Sequence, residues 1–225
     1  MEAMRVIRVT GKGQIKVKPD MTRITLELEG TYPEYNETLR RSAEETEKLK
    51  EILSPFGFER SDLKTLYFDV DTEYESYREN DVYKSRFIGY KFEHRLKFEF
   101  DSDNERLGKI IYALANSDVN PEFRISYTVK DEESAKNELL GKAVTDAKEK
   151  AVVLSKAAGV ALKDIQSIDY SWGKIDFEVH PMRKALMSEE SDCFMPEISS
   201  NSYDLDIEPD DIEVSDTVTV VWEIQ

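Results

Sequence analysis

Cysteine is almost missing from this chain. Cys193 is the only one in 225 residues, which excludes an intrachain disulfide framework and a cysteine-built zinc site and suits a reducing compartment. Histidine is nearly as scarce: His94 and His180 are the only two, so no histidine metal cluster is expected. No apolar run approaches the roughly 20 residues that a membrane-spanning helix needs. A basic stretch followed by an apolar run and a cleavage site is also lacking at the start, where the chain passes directly into Arg5–Val9. The expectation is a cytoplasmic protein, although an exported protein whose signal peptide had been removed would show the same sequence. Positive charge is in short supply, with 31 basic against 47 acidic residues and a net charge of −16. Such a field repels phosphate backbones and excludes nucleic acid as an expected partner.

What is present suffices for a core, since 40% of the residues are hydrophobic and 10% aromatic. The longest regular stretch is Asp131 to Ala158. Its residues Ala135, Leu139, Ala143, Ala147, Ala151, Leu154 and Ala158 recur every three or four positions, the spacing of one helical stripe. Small stripe residues allow close approach, so the helix is expected on a sheet face built by its flanking strands at 123–129 and 164–170. Gly159 is placed for a left-handed C-terminal cap. A second long helix is expected from Glu34, carrying Tyr35, Leu39, Ala43, Leu49, Ile52, Leu53 and Phe56, ended by Pro55 and Gly57. Between Asp103 and Asn116 a short helix carries Leu107, Ile110, Ile111 and Leu114.

Strands are expected around these helices. Ile24, Leu26 and Leu28 alternate with Arg23, Thr25, Glu27 and Glu29, Tyr90, Phe92, Leu96, Phe98 and Phe100 with charged residues, and Val218, Val220, Trp222 and Ile224 with Thr217, Thr219, Val221 and Glu223. Leu63–Val70 reads as a further strand, separated from Tyr90–Phe100 by a polar segment at Asp71–Asn80. Residues 5–17 read as a bent strand or tight hairpin around Gly11 and Gly13. Strand, long helix, glycine and strand occur twice: Ile24 and Ile125, and Gly57 and Gly159, are separated by nearly the same interval. The expectation is an α+β sandwich forming one domain over 1–225. It comprises pseudo-repeated βαββ units at 5–101 and 122–225, mainly antiparallel sheets, two long helices and a short linking helix at 102–120. Residues 176–210 hold ten acidic residues against Arg183 and Lys184, and read as a long acidic loop.

Three stretches in order carry a resemblance. Val9-Thr10-Gly11-Lys12-Gly13 with Val17-Lys18-Pro19-Asp20, then Ala143–Ile168 with Ala147-Lys148, Lys150-Ala151 and Ala158-Gly159-Val160, and finally Ile207–Val214 leading into Val218-Thr219-Val220, resemble the signatures of the SIMPL-domain family, the YggE-like bacterial proteins. The resemblance implies an α/β fold with βαββ-like halves. It also implies an oligomeric protein of the Gram-negative envelope or secretome connected with oxidative stress. An animal relative takes part in kinase signalling through protein contacts. No catalytic residues define the family. Asp210 stands where that pattern has glycine, and the secretory signal is missing.

Candidate sites weigh against function by chemistry. Gly11 and Gly13 lack the glycine-rich continuation and helix start of a phosphate loop, so a strand bulge or turn is expected. His94 shares a face with Phe92 and Leu96, the place of a half-buried histidine bonded to a neighbour, and is a low-ranking ligand site. Cys193 lies beside Asp192, where a carboxylate raises the thiol pKa and lowers reactivity. Glu189-Glu190 and Asp210-Asp211 lack the spacing of a calcium loop. The most unusual local composition is Tyr67, Tyr74, Tyr77, Tyr83 and Tyr90 with Arg78 and Arg86, rigid amphipathic side chains that suit a protein interface. No cofactor and no metal are expected. The chain reads as a non-enzymatic protein that associates with itself or with a protein partner. The alternative is an enzyme or ligand binder with a pocket between the repeats near His94.

Overall fold

The computed structural model describes residues 5–170, 175–180 and 207–225. Among the described residues it is α+β, with two antiparallel sheets and three α-helices. The elements are β1 (Val6–Val17), β2 (Met21–Tyr32), α1 (Tyr35–Leu53), β3 (Lys64–Glu79), β4 (Val82–Asp101) and α2 (Asn104–Ala115), followed by β5 (Glu122–Thr128), α3 (Glu132–Ala158), β6 (Leu162–Asp169), β7 (Glu178–Val179) and β8 (Ile212–Ile224). A 3-10 turn, Ser54–Phe56, closes α1 and ends on Gly57 at φ 83°, a left-handed conformation that glycine adopts without steric cost. None of these helices is long and apolar enough to cross a membrane.

The backbone contacts gather the chain into two compact units that do not follow its two halves. One comprises Met1–Asp20, Thr128–Val179 and Pro209–Gln225; the other comprises Met21–Tyr127 and His180–Glu208. In chain order the expected repeat stretches hold β2-α1-β3-β4 and β5-α3-β6-β7-β8. The pairing differs: β2 lies against β4, whereas β8 lies against β1 and β6. The first unit draws on both ends of the chain because β1 pairs with β8 along its whole length.

In the first unit the sheet runs β1-β8-β6, and α3 covers β1 and β8. The flanking strands were expected to hold this helix; instead β1, far away in sequence, is its main support. The reason is shape. Gly11 and Gly13 sit within an unbroken strand, neither at a bulge nor at a turn, and a Cβ on Gly11 would lie 2.7 Å from the Ala147 Cβ and still closer to the Ala143 carbonyl. Two side chains are omitted on the strand and two are minimal on the helix, so the backbones meet. Asp131 caps α3 by accepting from the Ser134 N–H at 2.8 Å, and Gly159 ends it at φ 68°. The buried stripe is Ala135, Leu139, Ala143, Ala147, Ala151 and Ser155; Leu154, expected on it, is 49% exposed, and Ala158 is also exposed. Steps of four advance about 40° each around a helix, and the stripe has wound past those two positions.

The acidic loop expected at 176–210 is not loop from its start. Phe177 is buried with Ile15, Val129, Leu139, Ile212 and Val214, its ring lies 5.6 Å below Lys136 Nζ, and β7 follows it. Cys193, Glu189 and Glu190 lie outside the described residues, as does the rest of that stretch over 181–206.

In the second unit the sheet runs β3-β4-β2-β5. One face of β2 and β4, Ile24, Leu26, Leu28, Phe92, Leu96, Phe98 and Phe100, packs beneath α1 and α2 with Leu49, Leu53, Leu107 and Ile110. The opposite face is laced by ion pairs, Arg23 with Glu99 at 2.6 Å and Lys91 with Glu29 at 2.6 Å. Asp103 caps α2, accepting from the Arg106 N–H at 3.1 Å.

Candidate functional site

The polar segment expected between β3 and β4 is itself strand. β3 continues to Glu79, a two-residue turn follows at Asn80 and Asp81, and β4 begins at Val82. Both turn residues have positive φ, 51° and 61°, as a tight hairpin matched to strand twist requires, and Asn and Asp tolerate that region better than other non-glycine residues. The result is a ribbon of two strands. From Asp71 to Ile88 almost every described side chain is exposed, so neither face of the ribbon is covered.

The tyrosines singled out by sequence are on this hairpin. Tyr67, Tyr74 and Tyr77 are exposed, and Tyr83 at the tip is 78% exposed. Tyr90 is different: it is half-buried at the ribbon's root, edge-on to Tyr35 at 5.4 Å. A ladder of edge-to-face rings climbs outward from there, Tyr90 to Phe87 at 5.4 Å and Phe87 to Tyr74 at 5.7 Å, each spacing favourable for an aromatic pair. Beyond it the guanidinium of Arg78 lies over Tyr83 at 5.9 Å, and on strand positions of the other parity Arg86 lies over Tyr77 at 6.0 Å while pairing with Glu75 at 2.6 Å. Arg95 lies over Tyr67 at 5.6 Å. The cations therefore hold the rings in place. A surface ordered before contact loses less side-chain entropy on binding.

Sequence reading missed Phe87, Ile88, Val82, Phe68 and Leu66, all exposed apolar residues on the same two strands. The signal available was Asn80-Asp81 between two β-prone runs, which marks a hairpin turn and would have extended both strands.

His94 lies elsewhere, on the helix-covered face of β4, 8% exposed. Its Nδ1 is 3.1 Å from Thr46 Oγ1 and its Nε2 is 3.0 Å from Thr65 Oγ1, and Phe68 meets it edge-on at 5.0 Å. Thr46 donates its hydroxyl proton to the Ser42 carbonyl at 2.8 Å, so it can only accept from the ring; Nδ1 carries the proton and Nε2 accepts from Thr65. Both nitrogens are thus engaged. Burial pushes the His94 pKa below its ordinary 6.5, and nearby Lys50 pushes it the same way. The unfolded chain therefore takes up a proton before the folded one. Stability from this residue is present above about pH 6.5 and is lost as pH falls through the depressed folded value. Urea unfolding between pH 7.5 and 5 should show a decline that is smaller in His94→Gln; an equal decline in both proteins would remove His94 as its source.

Shallow depressions occur in each unit. One of about 450 Å³ lies among Lys48, Glu51, Ile52 and Asn116–Val119, another of about 330 Å³ around Met21, Asp62, Lys64 and Lys97, and a third of about 400 Å³ around Ile168, Tyr170, Thr217 and Thr219. His94 lines none of the three.

Residues 7–222 match the family model described as SIMPL, protein of unknown function (DUF541). No curated protein matches the chain in sequence.

Proposed function

The chain belongs to the SIMPL family, and from that premise we propose that this member works by protein contact, as a self-associating protein and not an enzyme. The supporting observation is the ribbon. Tyr74, Phe87 and Tyr90 form an ordered ladder of rings, most of it exposed, and aromatic side chains and arginine are the residues that dominate contact energies at protein interfaces. A two-stranded ribbon uncovered on both faces is marginal in water by itself, so contact with a second surface stabilises it. Ligand binding beside His94, the competing reading, lacks comparable support because the threonines already engage both ring nitrogens.

Sedimentation velocity at micromolar concentration tests the proposal. The wild type should sediment above monomer mass, and Tyr74→Ala with Phe87→Ala should raise the dissociation constant at least about tenfold, the weight of one interface hot spot. Because the two rings are exposed, the variant should keep the wild-type circular dichroism spectrum, and its melting temperature should fall only by what the lost association contributes. A wild type that is strictly monomeric at these concentrations would overturn the reading.

A further inference from the structure

Two long strands lie at sheet edges, and they are finished differently. β1 is an edge of the first unit's sheet, but its outward backbone is occupied: the Lys12 N–H donates to Asp146 Oδ2 at 2.6 Å, and Lys150 Nζ donates to the Thr10 carbonyl at 3.5 Å. Asp146 and Lys150 pair with each other at 2.7 Å, and the α3 backbone is near enough to place them there because Gly11 and Gly13 lack side chains. Such a plug prevents an unpaired edge from recruiting another strand. β3 is the corresponding edge of the second unit. Among the described residues it has β4 on one side and no strand on the other. The Thr72 N–H donates to the carboxylate of its own neighbour Asp71, at 2.6 Å, a local contact that an incoming carbonyl can replace.

Charge gives that edge a sign. Asp69, Asp71, Glu73 and Glu75 stand at alternate positions, which puts them on one face of β3. Cations on the neighbouring β4 are drawn inward, away from the edge: Lys91, opposite Asp71, is paired with Glu29 of β2, and Arg95, opposite Tyr67, is paired with Glu27 of β2 and with Glu93. Of the four acidic residues, Glu75 has its charge met across the strand, by Arg86. A strand laid against β3 would set its side chains about 4.5–5.5 Å from these carboxylates. A second β3 would bring like charges into register, so this edge rejects a copy of itself.

We propose that the free edge of β3 over Asp69–Glu75 takes up, as an added strand, an extended segment of another protein that carries lysine or arginine at alternate positions. The backbone hydrogen bonds supply affinity and the carboxylates supply sign and register. This rests on reading the hairpin as a contact surface, but it uses the strand edge, whereas self-association uses the rings.

The test is fluorescence anisotropy of the full chain with two labelled nonapeptides, one alternating lysine and threonine and the other glutamate and threonine. The lysine peptide should bind and the glutamate peptide should not. Reversal of the edge in Asp69→Lys, Asp71→Lys, Glu73→Lys should weaken the lysine peptide at least about tenfold and create binding of the glutamate peptide, a switch of specificity and not a loss of fold. The same three-charge reversal on the exposed helix positions Glu133, Glu138 and Glu149 should leave affinity within about twofold, which separates the edge from the net charge. N-methylation of alternate amides in the lysine peptide should weaken it at least about tenfold if backbone pairing is used. Equal binding of the two peptides, equal effects of the two reversals, or indifference to N-methylation would each overturn the proposal. Sedimentation decides self-association separately, so either idea can fail while the other stands.

Discussion

Gly11→Val should cost about 3 kcal/mol, at the upper end of what overpacking costs, and should lower the melting temperature of the full chain by several degrees or more. Strand propensity argues for the opposite sign, since valine is favoured and glycine disfavoured in strands by up to about 1 kcal/mol. Packing decides the matter. The added Cβ would overlap the Ala143 carbonyl and approach the Ala147 Cβ to 2.7 Å, and backbone atoms of α3 cannot swing aside as a flexible side chain could. The helix must lift from β1, which uncovers Val9, Val218, Val220 and Trp222 and withdraws Asp146 from the Lys12 N–H. Hydrogen exchange should accelerate in β1, β8 and α3. An unchanged or raised melting temperature would show that propensity, not contact, governs this position.

Phe98→Ala should cost about 3–5 kcal/mol, the usual range for removing a buried phenylalanine. Phe98 is 1% exposed and stands at the centre of a ring cluster, edge-on to Phe58 at 4.9 Å and stacked beside Phe100 at 6.3 Å. The Arg106 guanidinium lies over Phe58 at 4.7 Å and over Phe100 at 5.1 Å, while its Nη2 donates to the Phe56 carbonyl at 2.7 Å. Truncation leaves a cavity beside the two rings on which that arginine rests and loosens the turn after α1 from α2. Amide exchange should rise in β2, β4, α1 and α2 and leave β1 and β8 as in the wild type. Uniform acceleration across the chain would mean that the two units unfold as one. A loss under about 1 kcal/mol would mean that the cluster collapses to fill the gap.

The helices were legible because their determinants are local. Asp131 and Gly159 announce the two ends of α3 within the residues they bound, and Asp103 does the same for α2. The α+β class and the alternation of β2 and β4 were legible for a related reason: each of these strands has one buried face, and burial writes itself as a period of two. The ribbon was hidden by the same rule. Between Asp71 and Ile88 both faces meet solvent, so nothing selects an alternation, and Glu73, Glu75 and Glu79 made strand look like linker. The partner of α3 was hidden by distance, since β1 is separated from it by more than a hundred residues and a glycine pair looks more like a turn than a bed for a helix. The tyrosines were legible as a composition, but their ladder needed Phe87, and the role of His94 depended on Thr46 and Thr65, which only folding brings to it.

The pairing of β1 with β8 also sets an order in time. Val6–Val17 leaves the ribosome about 200 residues ahead of Ile212–Ile224, which at about 5–20 residues per second is a wait of roughly 10–40 s. During that interval Val9 and Ile15 have no sheet to enter. The second unit's 21–127, complete much earlier, has no such delay. A strand exposed for that long is open to chaperones and to premature pairing, and the two glycines that seat α3 also make it a poor strand by itself. Poor intrinsic strand propensity in β1 thus serves the nascent chain as well as the finished one, by keeping the earliest strand uncommitted until its partner is made.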